Sequence, residues 1–554
     1  MKYKNTKIII PVVSFALALS MVSCVNDLNV TPIDPSVTQT FNQEQVFTKI
    51  YSSLAVTGQK APSGDPDVVG VDEGFSAFYR SIWNVNELTS DEAMWAFNDT
   101  GIPELQYNNW TSANLLLKGL YGRLYFNVTL CNDFLALTAG KDDAITKKQR
   151  AETRFMRALN YFYLLDMFDN IPFTEIVTLL QTPAFPIKRA ALFTYVDTEL
   201  AACEPDMYQP GEAKPYYRVN VVANWLLRSR LFLNAQVYTG TAKWDSAAIY
   251  AAKVIDPSSG YSLCPTYRQL FMGDNAGALD GSTVNMAPNE IIFPIAQDGV
   301  QTINYGGSDF LIAATHYPDM PGWGISTQWG CARARAYLVK KFFPGNAVFS
   351  NNNDLTTAKA PTLSVKDSRA LFLKGGVIIK KKDGSADSIN TAVRSLGIIP
   401  NTFTQGYSVI KFSNLRADGG KTHDTTWPDM DIPFMRQAEA YLTYAEAVFN
   451  GATPINGLTA VGAINILRTR AETIPLTSVS KQDIIDEWAR EFFFEGRRRM
   501  DLIRFGQYGG ATGYEWDWKN GVAAGSDFDV KYNIFPIPAT DVNANPNLTP
   551  TPGY

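Results

Sequence analysis

From about Phe41 to Asp245, apolar residues recur mostly at three- and four-residue intervals, the spacing that gives an amphipathic helix one buried stripe. In KKQRAETRFMRALNYFYLLDMF (147–168), Ala151, Phe155, Ala158, Leu159, Phe162 and Leu165 share one face, and Pro172 follows as a stop. RVNVVANWLLRSRLFLNAQVYTG and AKWDSAAIYAAKVID predict two helices joined at Gly240. Ala247, Ala248, Ala251 and Ala252 are small enough to bring the second against the first. Such pairs are the unit of tetratricopeptide scaffolds, although the consensus is too degenerate to count repeats. Between about Pro257 and Pro428 the pattern changes. Gly, Asn, Ser and Thr rise, and the β-type runs EIIFPI, GGVIIKKK and YSVIKF stand between turns. Lys380 to Lys382, beside Asp383-Gly384, predict a charged hairpin tip. Helical spacing resumes with DIPFMRQAEAYLTYAEAVFNG, INILRTRAETI and KQDIIDEWAREFFFEGRRRMDLIRFG. The prediction is a mostly α protein forming one domain over 41–554. A helical scaffold covers about 41–256 and 429–510, and an irregular, loop-rich insertion with short strands covers about 257–428.

The N-terminus has a different pattern. Lys2, Lys4 and Lys7 precede an apolar run from Ile8 to Val22, short for a membrane span and right for a secretion signal. Ser23-Cys24 follows, which resembles a bacterial lipoprotein signal rather than an ordinary cleaved one. On that reading 1–23 is removed, Cys24 is lipidated, and 24–40 is the tether. Nothing else in the chain is long and apolar enough to span a bilayer.

Composition narrows the chemistry. Basic residues number 49 against 54 acidic, a net charge of −5 with no basic stripe, which argues against nucleic acid as a partner. The only histidines are His316 and His423, too few to favour a histidine base or a His-rich zinc site. Cys131, Cys203, Cys264 and Cys331 form no CxxC, and their wide spacing fits buried thiols as well as disulfides. Aromatics reach 12%. DEAMWAFNDTG (91–101) sets Trp95 and Phe97 among residues that favour a solvated loop, so either the loop is covered or the rings meet a ligand. On a strand the two rings would share a face, and one could belong to the core. Trp323 in PGWGIS is also loop-borne, with no role assigned. Arg497, Arg498 and Arg499, with Asp501 and Arg504, suggest an anion site or a charged helix end pairing with Glu491 and Glu495; the second is expected.

Several phrases together resemble the SusD family: RFMRALNYFYLLDMFDNIPF, MRQAEAYLTYAEA, INILRTRA, EWAREFFFEGRRRMDLIRFG and the ending FPIPATDVNANPNLTPTPGY. The ending departs from the family pattern in the residue before its final Pro-Gly-Tyr. The resemblance implies a surface-exposed outer-membrane lipoprotein of Bacteroidetes on a tetratricopeptide-like scaffold. It would bind glycan and act with a SusC-type TonB-dependent transporter. PIDPSVTQTFNQEQVF, VTGQKAP, DEGFSAFYR and QDGVQTINYGGS are most similar to the family's starch-binding member, so the implied ligand is starch or a maltooligosaccharide. Such a ligand offers a C–H face for aromatic rings and hydroxyls for polar side chains.

Carried over by that resemblance, the ring platforms are Trp95 and Phe97 in MWAFNDT, Tyr305 in NYGGS and Trp329 in TQWGCARAR. Thr100, Asp72 and Arg80 are the polar partners. Phe97 stands in place of a Trp and Thr100 in place of an Asn. Asp72 and Arg80 would contact sugar or hold the loop by pairing with each other. Asp274, Asp429 and Asp431 match positions that hold a structural calcium, a cation that takes six to eight oxygen ligands. Sequence alone explains Asp431 equally as a helix N-cap. No recognised glycosidase segment accompanies the acidic residues, so neither catalytic residues nor a catalytic cofactor are expected.

Overall fold

A computed structural model describes residues 41–554, apart from 61, 63, 177–181, 278–284, 319, 321–322, 343–366, 374–377, 381–385, 389–402, 515, 517–518 and 523–524. The expected signal (1–23), Cys24, the tether (24–40) and the tip at 381–385 lie outside these residues. The strands flanking that tip pair antiparallel, Lys380 opposite Ala386.

The periodic segments form helices, several of them with side-chain caps at their starts. Helix α1 (Leu115–Leu137) starts at Asn114, whose Oδ1 accepts the Leu116 and Leu117 N–H groups. Helix α2 (Ala144–Met167) starts at Asp143, which accepts from Thr146. Each cap satisfies donors that the first helical turn leaves unpaired. All six apolar residues of the α2 face are buried. Helix α1 packs on α2 and α2 on α3 (Arg189–Cys203); α4 (Val221–Leu233) packs on α5 (Trp244–Ile255). Gly240, at φ 76°, ends the short helix between α4 and α5, a conformation other residues adopt at a cost. Ala247, Ala248 and Ala251 are buried and Ala252 half-buried.

After the loop-rich insertion, which contains the short helix α6 (Ser308–Thr315), α5 packs on α7 (Ala438–Phe449). Helix α7 then packs on α8 (Ala460–Arg470) and α9 (Lys481–Phe492). The scaffold is thus one stack interrupted in sequence rather than in space. Residues Gln45–Tyr554 pack as one unit. No helix among the described residues is long and apolar enough to cross a membrane.

Two antiparallel strand pairs were only partly foreseen. Strand β1 (Ala93–Trp95) pairs with β3 (Ala332–Ala334), in register Ala93 to Ala334 and Trp95 to Ala332. Strand β2 (Ile291–Ile295) pairs with β4 (Ile432–Arg436). The helix expected from DIPFMR is therefore a strand, and Asp431 caps no helix. Short runs buried on both faces lose the alternation that separates strand from helix.

The arginine-rich segment also departs from expectation. Arg498 forms a two-point ion pair with Asp91 at 2.7 and 2.9 Å. Arg497 pairs with Asp501 and Glu439, Arg499 with Asp166, and Arg504 with Glu446 and Asp501. Glu491 is taken by Arg369, Arg436 and Arg470, and Glu495 by Lys411 and Arg436. All of these arginines are buried and paired, so they join distant segments and present no open anion site. Cys131, Cys203, Cys264 and Cys331 are free and buried.

Candidate functional site

The first part of the segment, 91–96, is buried, and only the turn from Phe97 to Thr100 is open to solvent. Asp91 and Glu92 are 2% and 1% exposed, and Asp91 receives both Arg498 and Tyr514. Trp95 is 1% exposed. Its backbone pairs on one side with β3 and on the other with the Gln106 side chain, which accepts the Trp95 N–H at 2.7 Å and donates to its carbonyl at 3.2 Å. Its indole N–H donates to Asp99 at 2.9 Å, and its ring stacks on Phe310 of α6, centroids 5.9 Å apart. Trp95 thus lies in the core and backs the surface rather than facing it.

Beyond Trp95 the strand leaves the core, and Phe97 emerges 41% exposed. The Ala96 N–H donates to the Cys331 carbonyl at 2.9 Å. The β1–β3 register therefore carries Phe97 alongside Gly330, next to Trp329. Trp329 is half-buried, with its N–H donating to Ala313 of α6 at 2.7 Å. Tyr305 is 43% exposed and its ring lies 6.2 Å from that of Trp329. Three loops thus converge on one surface.

Arg80 joins these loops from below. It is 5% exposed on the short helix Phe78–Trp83 and donates to the Tyr305 carbonyl at 2.8 Å. Its guanidinium centre is 3.9 Å from the Phe75 ring, 4.7 Å from Phe310 and 5.8 Å from Trp329, cation–π range. Among the described residues no carboxylate pairs with it, and its buried Nε has no hydrogen-bond partner. Burial pulls this guanidinium below the usual arginine range, against the pull of Cys331, Asp72 and Asp99. Asp72 is exposed and accepts the Phe75 N–H at 3.4 Å, so the Asp72–Arg80 ion pair does not form. Buried Glu73 accepts the Tyr305 N–H at 3.4 Å. The close fit of loop 72–77 against 304–306 depends on two glycines. A Cβ on Gly306 would meet that of Ala77 at 2.1 Å, and one on Gly74 would meet that of Tyr305 at 2.9 Å. Thr100 is exposed on the turn after Phe97.

Sequence reasoning missed two rings. Phe403 is 41% exposed and packs edge-on against Phe97 at 5.2 Å. Trp427 is half-buried, 5.1 Å from Tyr305. Both stand in polar loop stretches, NTFTQG and TTWPD, the same pattern that drew attention to Phe97. Trp323, by contrast, is 4% exposed and packs on His316.

The three aspartates do not converge: among the described residues no group of three His, Cys, Asp or Glu side chains is placed to hold a metal. Both Asp274 oxygens accept protein N–H groups, from Asn285 at 2.8 Å and Ala417 at 3.0 Å. The other two keep unused oxygens. Asp429 Oδ1 and Asp431 Oδ2 are buried with no hydrogen-bond partner. Asp429 Oδ1 and the Trp427 carbonyl oxygen flank one point above Gly299, each within 2.6 Å of where a Cβ would sit. Burial, with Asp298 and Asp429 nearby, pushes the Asp431 carboxyl up to about 8. Asp429 Oδ1 and the Trp427 carbonyl fit part of a calcium ligand set, and Asp431 Oδ2 is left free to join it; Asp274 does not fit.

Fold and site together define a helical-scaffold protein that presents a row of aromatic rings on converging loops. The chain belongs to the SusD family. It is 42% identical over 570 aligned residues to the starch-binding protein SusD of Bacteroides thetaiotaomicron, covering 97% of each chain. The SusD family profile matches residues 313–554. A SusD-like protein of Bacteroides ovatus is 20% identical over 71% of this chain and 66% of its own length. Among solved structures, a SusD-like carbohydrate-binding protein from Bacteroides fragilis superposes with a TM-score of 0.67 at 20% identity, covering 92% of this chain and 98% of its own. Surface glycan-binding protein A from B. thetaiotaomicron, solved with laminarihexaose, gives 0.63 at 16% identity over 92% and 98%. At these identities the structures establish the fold.

Proposed function

We propose that this protein binds starch or maltooligosaccharides at the cell surface without hydrolysing them. The observation that carries this reading is the row of outward-facing rings, Phe97 and Phe403, Trp329 and Tyr305, on rigidly tied loops. Leaving large rings wet costs about 25 cal/mol per Å² of apolar surface, so a fold that fixes them there marks a binding surface. Ring faces cover the C–H patches of glucose units, while Asp72 and Thr100 meet hydroxyls and Arg80 holds the Tyr305 loop from behind. The loops are already in place, which limits the ordering cost of binding. The starch specificity rests on the kinship with the B. thetaiotaomicron protein.

On this reading the protein is anchored to the outer membrane by lipid at Cys24 and passes glycan to a SusC-type transporter. Asp429 and Asp431, with the Trp427 carbonyl, hold a calcium ion that fixes the loop by charge neutralisation. Affinity electrophoresis on amylopectin tests the ligand. Retardation supports the reading. Retardation only by another polymer replaces the ligand, and sustained release of reducing ends makes the protein a glycosidase.

A further inference from the structure

The ring row does not stop at Tyr305. Trp427 lies 5.1 Å from Tyr305 with the two planes at 54°, and Tyr305 lies 6.2 Å from Trp329 at 48°. The three rings therefore form a bent series rather than a flat wall. No core requirement explains Trp427, which sits half-buried in a loop whose neighbours Asp424 and Thr425 are exposed.

That loop is held firmly. Asn414, 2% exposed, donates to the Asp424 carbonyl at 2.9 Å and accepts the Asp429 N–H at 2.9 Å. Asp424 accepts the Trp427 N–H at 3.0 Å, and the Thr425 carbonyl accepts from Ser326 at 2.7 Å. Pro428 further restricts the backbone of Trp427. His423 is 51% exposed, and its Nδ1 donates to Asp429 at 3.0 Å. That contact orients the imidazole at the edge of the loop.

We propose that Trp427 is an additional sugar subsite beyond Tyr305, engaged only by longer glucan chains. This rests on the starch reading and adds a length preference to it. A short oligosaccharide fills the platforms at Trp329 and Tyr305. A longer one continues along the bend onto Trp427.

Calorimetry with maltotriose and maltoheptaose on wild type, W427A and W427F tests it, with melting temperature measured alongside. W427A should bind maltoheptaose about five- to tenfold more weakly, the loss of one stacking contact, while maltotriose affinity stays within about twofold. W427F should recover most of the loss. Equal weakening toward both ligands, or an unchanged ratio between them, overturns the inference alone. A wild type that binds neither ligand overturns the starch reading and the subsite with it.

Discussion

Trp95 and Phe97 stand two residues apart and do opposite work. Trp95 is enclosed by Phe310, Trp83 and Gln106, and its N–H is spent on Asp99. Phe97 touches Phe403 and otherwise faces outward. Trp95→Ala should therefore cost about 3–5 kcal/mol of unfolding free energy, the loss expected for a buried aromatic. Phe97→Ala should leave stability within about 0.5 kcal/mol and weaken maltoheptaose binding instead. Urea unfolding and calorimetry on both variants separate the roles; a destabilised Phe97→Ala with intact binding would return Phe97 to the core. The sequence left open that one of the two rings faced inward. It could not show which, because Asp91 and Asp99 look like loop residues until Arg498 and the Trp95 indole appear as their partners.

At the scale of elements, legibility followed periodicity. Helix α2 and the pair α4 and α5 were readable because each keeps an apolar face over several turns. Strand β4 was not, because IPFMR is buried on both sides and carries no alternation. The salt-bridge network was also hidden, since Arg498 and Asp91 are joined by the fold and not by spacing. The loop from His423 to Asp431 joins two candidate roles in one element, ring platform and cation site. If Asp429 and Asp431 hold calcium, micromolar to millimolar calcium should raise the melting temperature, and the chelator EGTA should lower it. The double variant D429N/D431N should not respond to either. A wild type indifferent to both would remove the metal from the loop.

Across the whole molecule, two buried groups beside the site give pH dependence of opposite sign. Asp309, 3% exposed at the start of α6, has its carboxyl pushed up to about 7 by burial, with Arg80 opposing and Glu73 adding. Between roughly pH 4 and 7 the folded state keeps a proton that the unfolded chain releases, so stability falls as pH rises through that window. His316, fully buried at the end of α6, is pushed down to about 4 by burial. Its Nδ1 lies 2.6 Å from the Ile312 carbonyl and must donate, while Nε2 is bare and buried. Here the unfolded chain takes up a proton that the folded state refuses, so stability falls as pH drops from about 6.5 to 4. In wild type the two trends offset each other. Urea unfolding at pH 4.5 and 8 should separate them. D309N should gain on wild type by a few kcal/mol as pH rises, at about 1.4 kcal/mol per pKa unit, and H316F should gain by about as much as pH falls. Curves that run parallel to wild type at both pH values would mean that neither group holds its unusual protonation state, and that Arg80 sits opposite an ionised Asp309.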